Sequence, residues 1–183
     1  MRTIWVTAFL IALTACTTTM RISRDELQAD LSKRFPKDID KQIVRLQLSE
    51  PQIEFFPGRP DILGVRVHVD ITTESGNSHV AGTANVEGAL EYVEAEHAFY
   101  LRAARVKVLT LERPDGPGRA ARLLDHASDA ALKHAARIAI EEVLERHAIY
   151  RLDAKRSPRE AKAIRHLREA HIDGHDLVLR VGM

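Results

Sequence analysis

Apolar and polar residues alternate along the middle of the chain, in the period-two pattern of strands with one buried face. The first such run covers residues 63–71, and the alternation resumes over residues 80–92 after a turn at Ser75-Gly76-Asn77. The two runs predict a long antiparallel β-hairpin. A third run, over residues 97–112, changes the parity of its apolar positions near Ala104-Arg105, which predicts a β-bulge there.

Two shorter extended runs, over residues 43–48 and 52–56, precede the hairpin and are separated by Pro51. Gly82 and Gly88 interrupt the second strand of the hairpin. Glycine inside a strand usually marks a bend or a close approach of another backbone. The pattern therefore predicts a curled sheet, with strands longer than the usual five to six residues.

Helical spacing of apolar residues predicts three helices. Ser23 and Glu26 form a capping box for a short helix to about residue 35. An Ala-rich helix is expected over about residues 119–147, and Ser157 before Pro158 starts a short helix to about residue 167. Asp173-Gly174 then turns the chain into a final strand. We expect an α+β fold: a long antiparallel curled sheet wrapped around a long α-helix, with short N- and C-terminal helices.

The N-terminal segment has the features of a secretory signal. Arg2 precedes an apolar stretch that is too short to span a membrane, and small residues lead to Cys16, which is the only cysteine. The junction Leu13-Thr14-Ala15-Cys16 matches the bacterial lipobox, in which the cysteine is acylated. We therefore expect a lipoprotein signal peptide over 1–15, an acylated tether over 16–22 and one domain over 23–183. The alternatives are a plain signal peptide or an N-terminal anchor helix.

Charge and composition limit the classes of partner that the protein is expected to bind. Removal of Arg2 with the signal leaves 26 basic and 26 acidic residues, and only 5% of the residues are aromatic. A nucleic-acid partner is not expected from this balance. Two or three acyl chains would hold the domain on the membrane. Thr17 stands where an Asp would resemble an inner-membrane retention signal, so we expect the periplasmic face of the bacterial outer membrane.

No catalytic motif is present in the sequence. The motifs G-x-S-x-G, H-E-x-x-H and G-x-G-x-x-G and the phosphate-binding loop are absent. The spacing of His166, His171 and His175 fits no standard zinc pattern. We therefore expect no catalytic residue, no metal and no cofactor. A basic stretch contains Arg151, Lys155, Arg156 and Arg159; it is interpreted as a solvated loop, with a lipid-headgroup or peptidoglycan contact as the alternative.

An apolar groove between the curled sheet and the long helix is the candidate binding site. Its predicted lining is Leu63, Val65, Val67, Val86, Leu90, Phe99, Leu101, Leu124, Ala131 and Ile138. The alternative is that these side chains pack against each other as a closed core, and periodicity alone does not separate the two.

Several segments together resemble the YceB-like bacterial lipoproteins, a family defined by domain of unknown function 1439. They are the lipobox, Phe35-Pro36, Glu142-Val143-Leu144, Ile149-Tyr150-Arg151-Leu152 and the closing run Ile172-Asp173-Gly174-His175-Asp176-Leu177-Val178-Leu179. Members of that family tend to have Pro-Val-Tyr where this chain has Ala148-Ile149-Tyr150. The resemblance implies a super-roll like half of the bactericidal permeability-increasing protein, one of the tubular lipid-binding folds. It implies no activity.

Three functions are compared. The leading hypothesis is a non-enzymatic outer-membrane lipoprotein that binds a lipid or other hydrophobic ligand in the groove. The second is an accessory of the cell envelope with a closed core and a protein partner. The third is an enzyme, which the absence of a nucleophile–base pair or a metal constellation disfavours.

Overall fold

A computed structural model describes residues 17–41, 44–73, 79–112 and 126–182. Within these ranges the chain forms nine strands in two antiparallel sheets, together with three α-helices. The predicted α+β class and the strongly curled antiparallel sheet, which forms a half-barrel, are confirmed. The predicted signal peptide and Cys16 lie outside the described residues.

The larger sheet has six strands in the order β2-β3-β4-β5-β6-β7. Their bounds are Lys37–Lys41, Val44–Phe55, Ile62–Thr73, His79–Val93, Ala98–Glu112 and Ala148–Arg151. The predicted hairpin is confirmed as β4 and β5, which pair from Ile62 with Ala89 to Thr72 with His79. The two short runs expected around Pro51 form the single strand β3, whose register shifts between Ser49 and Gln52.

The curl of this sheet arises where β5 and β6 meet. Ala103 and Ala104 of β6 together face Gly88, and Ala103 has a positive φ of 48°. The predicted bulge is therefore confirmed, one residue earlier than expected. A Cβ at Gly82 would overlap the carbonyl oxygen of Thr110, and one at Gly88 would lie 2.7 Å from Leu101 Cγ. Glycine at both positions lets the two backbones approach closely as the sheet bends.

Two short helices begin at the caps expected from the sequence. Helix α1 spans Arg24–Ser32, and Ser23 and Glu26 form both hydrogen bonds of the capping box. The short C-terminal helix spans Pro158–His166, and the Ser157 hydroxyl accepts from the Glu160 backbone N–H. It is called α3 below. The Glu160 carboxylate does not complete a capping box, because it accepts instead from the backbone N–H of Asp153 at 2.7 Å.

The long helix α2 spans His126–Arg146 and packs mainly along β6. Glu141 accepts from the backbone N–H of Val106 at 2.9 Å, and Glu145 accepts from that of Ala104 at 2.8 Å. Because β7 pairs only with residues 98–100, this part of β6 is a sheet edge. Side chains of α2 thus satisfy backbone groups that a further strand would otherwise pair with.

The smaller sheet has the order β1-β9-β8, formed by Thr18–Ser23, Asp176–Val181 and Leu167–Asp173. Strand β1 pairs with β9 from Thr18 with Val181 to Ser23 with Asp176. Residues 18–22, which the sequence analysis assigned to the tether, therefore belong to the folded domain. Ile22 explains this difference, because it is 1% exposed and packs in the main core.

Candidate functional site

The apolar side chains expected to line a groove on the sheet lie on one face of it. Strand register places them together on the side of the sheet that faces the core, here called the interior face. Leu90 is partly buried and packs against the core. The other six are at most 1% exposed: Leu63, Val65, Val67, Val86, Phe99 and Leu101.

The residues expected to line the groove from the long helix are placed differently. Ala131 is exposed and Ile138 is 51% exposed, while Leu124 lies outside the described residues. Over residues 130–146, α2 buries Ala136, Ala139, Ile140 and Leu144. At about 100° per residue, Ile138 and Ile140 point to nearly opposite sides of the helix. The helix is turned so that Glu141 and Glu145 reach the edge of β6.

Three partly exposed leucines extend the interior face toward solvent. Leu109 and Leu111 pair with Ala84 and Gly82, so they share the interior face, and both pack against the core cluster, as does Leu132 of α2. Glu141 contacts Val106 and Glu145 contacts Ala104, so α2 runs antiparallel to β6. Leu132 lies roughly 13 Å of helix before Glu141, and about four strand residues beyond Val106 span the same distance. Leu132 therefore lies at the level of the other two leucines. We call Leu109, Leu111 and Leu132 the interior rim.

A second notable cluster surrounds a buried carboxylate on α1. The side chain of Asp30 is only 9% exposed. It accepts hydrogen bonds from Arg34 Nη2 at 2.7 Å, from Arg156 Nη2 at 3.4 Å and from the backbone N–H of Arg151 at 3.2 Å. The carboxylate thus joins α1, β7 and the loop before α3 through charge-assisted hydrogen bonds.

Tyr150 and Arg156 pack together beside Asp30. The Arg156 guanidinium lies 5.1 Å from the centre of the Tyr150 ring, and its Nη1 donates to the Tyr150 hydroxyl at 2.6 Å. Burial, together with the charge of nearby Glu160, raises the pKa of Tyr150 to about 12. The hydroxyl therefore keeps its proton at neutral pH and accepts the hydrogen bond from Arg156. This arrangement has a structural role, because it connects β7 to the loop before α3.

Two clefts lie between β1 and α3. The larger, about 510 Å³, opens over Tyr150 and Arg156 and also contains Glu26 and Glu160, so its charges are mixed. The smaller, about 230 Å³, shares Met20 and Arg159 with it and has only cationic charged groups. Its lining consists of Thr18, Thr19, Met20, Arg159, Lys162 and Val181.

The basic stretch noted in the sequence is divided by the structure. Arg156 is part of the Asp30 cluster, whereas Arg159 is exposed on α3. Lys162 and Arg165 continue the stretch along α3, beyond the four residues that the sequence pattern indicates. A spacing of three residues from Arg159 is the signal that would have identified them, because such residues are neighbours on a helix surface.

The histidines near the C-terminus give no metal site within the described ranges. Among these residues no group of three or more His, Cys, Asp or Glu side chains could hold a metal ion. No helix in the described part of the chain has both the length and the apolar character needed to cross a bilayer.

Comparison with protein-family models gives a match. The sequence model of a family described as "protein of unknown function (DUF1439)" matches residues 22–173. No curated protein matches the chain. The matched region runs from the end of β1 to the end of β8 and so includes the interior face, the Asp30 cluster and α3.

Proposed function

Since the chain belongs to the DUF1439 family of proteins of unknown function, we propose a function from its own sequence and surfaces. The protein is a non-enzymatic lipoprotein, anchored through Cys16 to the periplasmic face of the bacterial outer membrane, and it binds a lipid or other hydrophobic ligand. The likeness to YceB-like lipoproteins and to the super-roll, with the sheet wrapped around α2, is part of the same proposal.

The interior rim is the observation that carries ligand binding. Leu109, Leu111 and Leu132 are only partly buried, although they continue the apolar interior face that packs the core. Ligand sites in proteins are mainly apolar concave surfaces. The interior rim is the place where an acyl chain or similar group gains contact with the interior face without displacing fully buried residues such as Val67.

The anchoring part of the proposal is supported by the sequence and by the start of the fold. The lipobox ends at Cys16, and only Thr17 separates this cysteine from β1, which begins at Thr18. An acyl anchor at Cys16 would hold the domain close to the bilayer, within reach of membrane lipids.

Leu132→Gln should lower the occupancy of a bound hydrophobic ligand. The chain beginning at Thr17 is exported to the periplasm, purified without detergent and measured by native mass spectrometry with lipid extraction. Placing one polar amide at the interior rim costs about 1–3 kcal/mol of apolar contact, so we expect roughly a tenfold or greater loss of occupancy. Ile138→Gln is the matched control, because Ile138 lies on the exposed side of the same helix.

Equal loss in both variants, or none in either, would count against binding at the interior rim. A protein that carries no lipid and also refuses added lipid would favour the second candidate, an envelope accessory with a closed core. That candidate is favoured by the near-complete burial of Leu63, Val65 and Phe99. Crosslinking that recovers a stoichiometric envelope protein in the absence of lipid would then identify its partner.

A further inference from the structure

The segment that contains α3 presents only positive charge to solvent. Over residues 155–168 it has six Lys or Arg residues and a single acidic residue, Glu160. Glu160 is 3% exposed and accepts a hydrogen bond from the backbone N–H of Asp153, so its charge is turned inward. The cations are Lys155, Arg156, Arg159, Lys162, Arg165 and Arg168.

Three of these cations share one side of the helix. At about 100° per residue, Arg159, Lys162 and Arg165 fall within an arc of roughly 120°. The buried residues Glu160 and Ala163 have a mean direction about 130° away from that of the three cations, on the side where α3 packs against β9 and β8. We call Arg159, Lys162 and Arg165 the cationic face of α3.

No counter-charge accompanies the three cations of the cationic face, unlike many arginines elsewhere on the described surface. Elsewhere arginines pair closely with carboxylates, such as Arg45 with Asp40 at 2.7 Å. Arg59 and Glu87 pair at 2.8 Å. Among the described residues, no carboxylate lies within 4.0 Å of a charged atom of the cationic face. The excess of positive charge is local, because the chain without the proposed signal peptide is formally neutral.

The cationic face also lies beside the proposed anchor. Lys162 Nζ donates to Thr18 Oγ1 at 3.0 Å, and Thr18 is two residues after Cys16. The smaller cleft, of about 230 Å³, places Arg159 and Lys162 next to the first three residues of β1. Any bilayer that holds acyl chains on Cys16 is therefore within reach of these side chains.

We propose that the cationic face of α3 is a docking surface for the anionic headgroups of phospholipids. It rests on the anchoring proposed above and adds to it an orientation, in which α3 and the start of β1 face the bilayer. A cationic residue near an anionic bilayer adds favourable binding energy that falls off with salt. Acyl chains and a cationic surface together give firmer membrane association than either alone.

The experiment measures sedimentation of the chain beginning at Thr17 with vesicles. One set contains phosphatidylglycerol in phosphatidylcholine, and the other contains phosphatidylcholine alone. The test variant combines Arg159→Gln, Lys162→Gln and Arg165→Gln. The control combines Arg45→Gln, Arg66→Gln and Lys107→Gln, which removes the same charge from exposed positions on the larger sheet. Circular dichroism checks that both variants remain folded.

The unchanged chain should bind preferentially to the phosphatidylglycerol vesicles. Salt at 0.5 M should reverse this binding, because it shortens the electrostatic screening length to a value between ~3 and ~10 Å. The α3 variant should lose roughly 100-fold in partitioning, while the control stays within about threefold. Equal loss in both variants would show a net-charge effect and overturn the proposal. Unchanged vesicle binding by the α3 variant would also overturn the proposal. The same holds if that variant keeps vesicle binding but no longer sediments with purified peptidoglycan.

A parallel measurement separates this proposal from the anchoring on which it rests. The full chain and its Cys16→Ala variant are expressed with labelled palmitate, and incorporation of label is followed. Incorporation without α3-dependent vesicle binding would defeat only the docking surface. Vesicle binding without incorporation would defeat the lipoprotein assignment and leave the cationic face as a membrane contact.

Discussion

Asp30 shows how a single charged side chain connects elements that are far apart in the sequence. Its carboxylate has hydrogen-bonding partners just after the end of α1, on β7 and in the loop before α3. A buried charge is tolerated when such partners replace the water it has lost. Removal of the carboxylate leaves Arg34 and the backbone N–H of Arg151 without this acceptor, while Arg156 keeps its hydrogen bond to Tyr150.

Asp30→Ala should destabilise the domain by about 2–4 kcal/mol, because it leaves the guanidinium of Arg34 and the backbone N–H of Arg151 without their acceptor. Urea unfolding measures the change. Asp40→Ala is the control, since Asp40 and Arg45 are 71% and 68% exposed, and the loss there should stay below about 1 kcal/mol. Similar losses in the two variants would show that Asp30 is not a joint between elements.

Residue-level features were predictable where their cause is local. Ser23 and Glu26 lie three residues apart, so the capping box follows from the sequence and is confirmed. Glu160 has the same spacing from Ser157, yet its carboxylate accepts from the backbone N–H of Asp153 in the loop that precedes α3, which the spacing alone does not predict. Ala131 and Ile138 are exposed because α2 buries its other side in the core, whose strands are distant from it in the sequence. Such long-range partners leave no trace in helical periodicity.

At the scale of elements, α2 protects an edge of the larger sheet. Edge strands expose unpaired backbone groups that can pair with another chain. Glu141 and Glu145 accept hydrogen bonds from two backbone N–H groups of β6. Arg137 Nη1 donates to the carbonyl oxygen of Val106 at 3.1 Å. A helix thus covers this edge with side-chain carboxylates.

Glu141→Ala should speed hydrogen exchange at the backbone N–H of Val106, and Glu145→Ala should do the same at Ala104. Each loss of an acceptor should cost about 1–2 kcal/mol of stability. Glu141→Gln and Glu145→Gln keep an acceptor oxygen and should exchange at rates close to those of the unchanged chain. Slow exchange at both amides in the alanine variants would mean that other groups protect the edge.

The strands show the same division between local and distant causes. Strands β4, β5 and β6 were predictable, because each has a long alternating pattern that buries one face. Strands β2, β7 and β8 are short or half-exposed and owe their form to the strands beside them. For β1, Thr17-Thr18-Thr19 predicts a polar tether, whereas the pairing of this strand with β9 depends on residues distant in the sequence.

For the molecule as a whole, β1 makes the domain begin almost at the proposed anchor. A chain that begins at Ser23 should be less stable than one that begins at Thr17 by about 3 kcal/mol or more. It loses the burial of Ile22, worth about 1.5–3 kcal/mol, and the pairing of β1 with β9. Urea unfolding of the two chains measures the difference, with a chain that begins at Thr19 as the control for loss of the first two residues.

Coincident unfolding of the Ser23 and Thr17 chains would place β1 outside the cooperative domain.

The position of the cationic face is a property of the whole molecule as well. Arg159, Lys162 and Arg165 are visible in the sequence, but their position beside Thr18 results from the second sheet bringing the two ends of the chain together. No local pattern in the sequence records that juxtaposition.

The pairing of Thr18 with Val181 also fixes the order in which folding can finish. In chain order β1 is the first strand of the domain and β9 is the last. Contacts between such distant segments form late, because the entropy of closing the loop between them must be overcome. Until β9 forms, β1 has no partner strand, because β9 is its neighbour in the smaller sheet. Completion of the smaller sheet and placement of α3 beside Thr18 therefore belong to one step of folding.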